Sequence, residues 1–312
     1  MSDFELIVSL ASPGELEGTD LAPCDAVCLG SPYCRRLEGN YAEALDSLGG
    51  VVSLLHASGK KAYVTTPAAP READLPHVER LIDAAAAAGA DALEVHSLGV
   101  LRMLREKGRP LPAHMGAYAN VYTHLAAAVM RDAGAVRVRP NAEVALDEMG
   151  LIAREASVEI ELLVHGKIPL GVTDKCFLLS EPEETDPNCP AACREEHWLK
   201  TPQWALKTVG KGVMSGRDMC MLEHLPRLAR DGFRVFRVEG LYETAAYRSE
   251  IGAAYREALE LAFSGGEYAI RDRWAKAARR HAKRNLCNGY YFGTSGRRYV
   301  GELLQRDDPG IK

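Results

Sequence analysis

The sequence predicts an α/β fold built as a (β/α)8 barrel of the TIM type. Strand-like and helix-like patterns alternate along the 312 residues at about the spacing of one βα unit. About eight of the strands are placed to be parallel, the number that closes such a barrel. No Gly-rich dinucleotide turn follows the first strand, which weighs against the alternative, a doubly wound sheet of the Rossmann kind. No internal repeat or low-complexity segment interrupts the alternation.

Residues 4–10 form the first apolar strand, and 26–29 a short buried second one that runs into Gly30-Ser-Pro-Tyr-Cys-Arg-Arg. Helical spacing from 40 to 58 ends at Gly59, and a second helix over 77–88, after the strand at 61–66, ends at Gly89, both glycines being expected C-caps. A strand at 92–96, a helix at 99–107, a strand at 112–118, a helix at 122–133 and a strand at 135–139 continue the series. A helix over 141–155 leads to the strand at 158–164, where Val158, Ile160, Leu162 and Val164 alternate with Glu159, Glu161 and Leu163. His165-Gly166 and Pro169 then break the run. Beyond a Pro- and acid-rich loop come a strand at 212–215, a helix at 221–230, a strand at 233–238, a helix at 245–263 and a basic helix near 271–283. The expected division is a barrel over 1–264 with a C-terminal helix and tail, 265–312, packed on it.

The 47% hydrophobic and 26% charged residues are ordinary for a globular protein. A net charge of −5 gives no electrostatic reason to expect nucleic acid. The N-terminus has no basic region ahead of its short apolar run, and the longest apolar run, 84–88, is far too short for a bilayer. Eight cysteines without an export signal point to a reducing, cytoplasmic setting, where clustered thiols are more often metal ligands than disulfides.

Cys176, Cys189 and Cys193 lie on a loop with no periodic apolar face, so something other than apolar contacts must hold it. In a barrel, chemistry sits where strands give way to the following loops. Cys34 follows the second strand and the other three follow the strand at 158–164, so all four are expected at one mouth. Four thiolates without histidine suit either an Fe–S cluster or a tetrahedral Zn²⁺. Cys24, Cys28 and Cys34 resemble a radical-SAM spacing, but Ser31 stands where that pattern needs its third thiol. Cys28 reads as core, Cys287 as structural, and Cys220 as a substitute ligand.

Around the thiols, Arg35, Arg36 and Lys175 are candidates for holding cluster charge or a dicarboxylate, Arg by a two-point fork. Glu159 and Glu161 should share one side of their strand, with Arg137 and Arg139 in register to pair with them as a proton-handling site or a buried ion network. His114 and Asn120 flank a strand end, and Tyr290, Tyr291 and Phe292 are expected either to line a ring-binding surface or to pack the tail on the barrel. Neither H-E-x-x-H nor G-x-S-x-G occurs, so peptidase chemistry has no recognisable motif here.

The segment IELLVHGKIPLGVTDKCFLL resembles the signature region of the collagenase-like peptidase family, and SGRDMCMLEHLPRLARDGFRVFRVEG resembles its next block, with Glu239-Gly240 after a strand. The likeness covers most of residues 4–260. CLGSPYCRR, KCFLL, NCPAAC and CNGYY are further similar to the UbiV branch, which serves oxygen-independent ubiquinone biosynthesis. That resemblance implies a 4Fe–4S cluster on Cys34, Cys176, Cys189 and Cys193. It also implies hydroxylation of ubiquinone precursors without O₂, a UbiU-like partner in a heterodimer, a small lipid-carrier protein, and prephenate as oxygen source. The UbiU branch has ligands where this chain has Pro169 and Cys220; Cys220 and Glu239-Gly240 are departures from the UbiV pattern. Other relatives hydroxylate RNA bases, and a metal-stabilised non-catalytic scaffold is the remaining alternative.

Overall fold

A computed structural model describes residues 3–34, 45–173, 175, 176, 178 and 196–301. Its centre is a closed barrel of eight parallel strands: β1 (Glu5–Leu10), β2 (Ala26–Leu29), β3 (Lys61–Thr65), β4 (Ala92–Val95), β5 (Ala113–Met115), β6 (Ala135–Val138), β7 (Glu159–Val172) and, after an insertion, β11 (Val235–Val238). β11 closes the ring, pairing with β7 through Val235↔Glu161 and with β1 through Glu5↔Val235. The predicted barrel is thus the observed one.

Helices α1 (Leu45–Ala57), α2 (Leu75–Ala88), α3 (Leu98–Glu106), α4 (His124–Asp132) and α5 (Leu146–Ala156) fill the crossovers from β2 to β7. Gly59 and Gly89 end the first two with left-handed φ of 69° and 75°, a backbone that lacks a Cβ clash only in glycine. Between β1 and β2 there is only a 3-10 turn at Pro13–Glu15, where Pro and Gly punctuate the chain.

Two separate sets of side chains are buried by the alternation of each strand. One set, including Leu6, Val8, Val27, Val64, Leu93, Val138 and Leu162, packs outward against the helices as a single large core. The other points inward, and its apolar part is small: Ile7, Ala26, Cys28, Tyr63, Ala92 and Val235. Charged side chains fill the rest of the barrel.

The stretch at 212–215 does not join the barrel. It begins β10 (Gly212–Cys220), which runs antiparallel to the upper half of β7 and to β9 (Ala205–Val209), with β8 (His197–Lys200) at the outer edge. A two-residue Gly210-Lys211 turn joins β9 to β10, with Gly210 at φ 57°. α6 (Leu225–Arg230) leads back to β11, and α7 (Ala245–Phe263) follows it. The predicted helix at 221–230 is split, a 3-10 turn preceding α6 because Pro226 starts the α-helix. Finally α8 (Asp272–His281) packs on α7, and β12 (Leu286–Cys287) pairs with β10. No helix among the described residues is long and apolar enough to cross a membrane.

Candidate functional site at the barrel mouth

Because β7 continues past the barrel, the antiparallel extension arches over the C-terminal ends of the strands. Its β9–β10 turn lands on the loop after β2. A Cβ built on Gly212 would stand 2.3 Å from the Tyr33 ring, and one on Gly210 would stand 3.1 Å from the Cβ of Cys34. Ala11, Tyr33, Val209, Met214 and Leu241 close into an apolar cluster between barrel and extension, with Cys34, Tyr118 and Tyr242 against it. The five cluster residues are buried.

The same turn receives Cys176. Its thiol donates to the Gly210 carbonyl oxygen at 3.5 Å, and the Leu178 amide donates to its sulfur at 3.4 Å. Cys34 and Cys176, distant in sequence, therefore meet at one glycine, each half-buried. Cys189 and Cys193 lie outside the described residues, as do Arg35 and Arg36; Lys175 is exposed beside Cys176. No group of three or more potential ligands occurs among the described residues.

The other cysteines are buried in the body of the fold. Burial pushes the thiols of Cys24, Cys28 and Cys220 up to about 12. Cys220 sits opposite His165 at the far end of β10, on the order of 20 Å along the strand from the turn that gathers Cys34 and Cys176. It is fully buried near the Tyr255 hydroxyl, which makes it core and not a substitute ligand. Cys28 faces the barrel interior, 3.6 Å from Glu94, and Cys287 is buried on β12.

Below the mouth runs the ion network. Arg137 pairs with Glu159 at 2.6 Å and with Glu5 at 2.8 Å at the lower end of the barrel, through the register Arg137↔Glu159. Arg237 reaches Glu161 at 2.5 Å and Glu94 at 3.0 Å. Burial works against the charged forms of Glu94 and Glu161, but Arg237 and Arg139 outweigh it and hold both carboxyls below their ordinary range. The carboxylate–arginine pairing expected of β6 and β7 is present, with β4 and β11 joining in.

Arg139 is held differently. Glu94, Glu161 and Glu239 surround it at 3.5, 3.8 and 3.8 Å, and neither its Nε nor its Nη1 makes a hydrogen bond among the described residues. Glu239 reaches this spot because the two signature segments touch. Its amide donates to the His165 carbonyl, and a Cβ on Gly166 (φ 106°) would stand 2.7 Å from the Glu239 oxygen. His96, after β4, is packed so closely that a Cβ on Gly116 would fall 2.1 Å from its ring. The Tyr118 ring lies 5.6 Å from that of His96 and 5.8 Å from that of Tyr33. Tyr242 takes a left-handed φ of 60°, unusual for an aromatic residue, and its hydroxyl bonds to Ser31.

Sequence reasoning missed His96, Tyr33, Tyr118 and Tyr242 as members of this site. The signal available was position: each follows a strand end. His114 instead lies inside the barrel against Tyr63, at 4.8 Å, with burial and Arg137 taking its imidazole down to about 3. Asn120 accepts from Asn141 and ties two loops. Tyr291 donates to the Leu163 carbonyl and the Phe292 ring lies tilted against His224, so these two aromatics pack the tail onto the barrel.

Comparison with known proteins follows the same segments. The model of peptidase family U32 matches residues 21–300. The chain is 29% identical over 253 residues to an uncharacterized protease of Methanocaldococcus jannaschii, covering 77% of this chain and 61% of that protein. It is 27% identical over 239 residues to the 23S rRNA 5-hydroxycytidine synthase of Escherichia coli, covering 76% and 36% respectively. With the tRNA hydroxylation protein P of Escherichia coli it shares 25% identity over 292 residues, covering 77% and 64%. The chain thus spans less than two thirds of the length of each of these relatives.

Proposed function

This chain belongs to peptidase family U32, and from that premise we propose that it is the cluster-bearing subunit of a hydroxylase that works without O₂ on ubiquinone precursors. The observation that carries the reading is the meeting of Cys34 and Cys176 at Gly210, with an amide donated to the Cys176 sulfur. Together with Cys189 and Cys193 these thiols match the ligand set implied by the resemblance to UbiV proteins. Two U32 relatives are named for hydroxylation, which supports the reaction class. The partner in this reading is a UbiU-like subunit, with prephenate as oxygen source and a small lipid carrier presenting the precursor.

A bound cluster would supply one-electron chemistry or an iron site for an oxygen-bearing ligand. The chain's own residues supply the surroundings. The buried apolar cluster of Tyr33, Met214 and Leu241 forms one side. Arg139 and Glu239, 3.8 Å apart, offer polar groups beside it.

A second reading, hydroxylation of an RNA base, is favoured by the names of the two Escherichia coli relatives. The net charge of −5 gives no general attraction to a phosphate backbone. Cys176→Ala in a host that depends on this chain for anaerobic ubiquinone separates the readings. Lost ubiquinone synthesis with unchanged RNA modification supports the proposal, and normal ubiquinone synthesis contradicts it.

A further inference from the structure

We propose that Glu239 is the acid of the barrel mouth: its carboxyl carries a proton that it gives to an oxygen of the ligand bound there, and Arg139 takes up the carboxylate left behind. This deepens the reading above, in that it rests on the mouth being the reaction site.

The cations at this level are not shared evenly. Arg137 is engaged by Glu5 and Glu159 at the lower end and reaches Glu161 at 3.9 Å, while His96 stands 3.6 Å from Glu94. Glu94 and Glu161 also pair with Arg237 and Arg139, whereas Glu239 has only Arg139 within 4 Å among the described residues, at 3.8 Å. A buried carboxylate without a direct cationic partner is unfavourable, and protonation removes that cost.

Pairing decides which acid holds the proton. Glu161 and Glu94 each accept directly from Arg237, at 2.5 and 3.0 Å. Glu239 has no guanidinium within hydrogen-bonding distance among the described residues: Arg139 is 3.8 Å away, and the carboxyl is bonded instead by the Ser9 hydroxyl and, at 3.4 Å, by the Leu241 amide. The groups around it on every side are Ser9 of β1, Glu94 of β4, Arg139, Arg237, Tyr247 of α7 and, in the loops, Glu15, Tyr33 and Tyr118. Burial raises the Glu239 carboxyl above its ordinary value despite Arg139 and Arg237.

The loose seat of Arg139 now has a use. A guanidinium with two unused N–H groups, next to a neutral acid, is poised for the state in which that acid has ionised. In the transfer, the O–H bond of Glu239 breaks and an O–H bond forms on the ligand oxygen. The electron pair stays on the carboxylate, and the Arg139 N–H groups close the gap. No oxidant or reductant is consumed in this step.

Infrared spectra of the full chain test the assignment without reference to iron or to hydroxylation. The carbonyl stretch of a protonated carboxylic acid is expected at neutral pH, shifted by ¹³C-glutamate labelling, absent in Glu239→Gln and retained in Glu15→Gln. A chain with no such band, or one whose band survives Glu239→Gln, overturns the proposal. Should Glu239→Gln fail to fold, ¹³C carboxyl resonances of the Glu15→Gln chain decide: one glutamate still protonated at neutral pH supports it, and none overturns it. Arg139→Gln should move the ionisation of the band to higher pH. A band whose pH dependence is unmoved would remove Arg139 from the proposal.

Discussion

The Cys176 thiol lies 3.5 Å from the carbonyl oxygen of Gly210, the residue whose missing side chain also makes room for Cys34. Gly210→Ala tests whether that meeting matters. An L-residue at φ 57° costs about 1–2 kcal/mol, and the new methyl would press on Cys34 from 3.1 Å. The expected result is a small fall in melting temperature with a larger fall in iron bound per chain.

The buried ion network gives a second expectation. Arg237→Met strands Glu161 and Glu94 together, so stability in denaturant should fall by about 3–5 kcal/mol, the usual cost of breaking a buried pair. Adding Glu161→Gln should recover part of that loss. Arg102→Ala, at an exposed pair with Glu106, should leave the unfolding midpoint where it is.

Much of this arrangement is legible in the sequence. The alternation of β6 and β7 places Arg137 opposite Glu159, and the β/α spacing gives the barrel because each strand's apolar residues face one layer of helices. The extension is less legible. Neither β8 nor β9 alternates apolar with polar residues, and the V-G-K-G turn that marks the hairpin is short. His96 and Tyr118 carry no local pattern that sets them apart from core residues. They become a site only when closure of the barrel brings β4, β5, β6 and β11 to one rim.

Acid should destabilise the fold through its buried imidazoles. Burial takes His165 from 6.5 to about 3, and burial with Arg137 does the same to His114. The unfolded chain therefore binds more protons than the folded one as pH falls from 6.5 towards 3, so stability present above 6.5 is progressively lost across that window. Denaturant midpoints measured from neutral pH downwards should decline through it, and His165→Gln should flatten the decline. A level profile would contradict the buried, neutral assignment of both imidazoles.

Gly166 should tolerate nothing larger. Its φ of 106° and the 2.7 Å approach of the Glu239 oxygen mean that Gly166→Ala must displace the β11 end, an overpacking worth about 1–3 kcal/mol. Gly171, on the same strand with open space around it, should accept alanine with little change in melting temperature.

The account stands or falls on iron held by Cys34, Cys176, Cys189 and Cys193. Electron paramagnetic resonance of the anaerobically isolated, reduced chain, with iron and sulfide assays on the same sample, measures this directly. About four irons and four sulfides per chain, with a cluster signal lost in Cys34→Ala and Cys176→Ala, is the predicted result. A colourless chain holding zinc, or a cluster signal unaffected by either substitution, would contradict it.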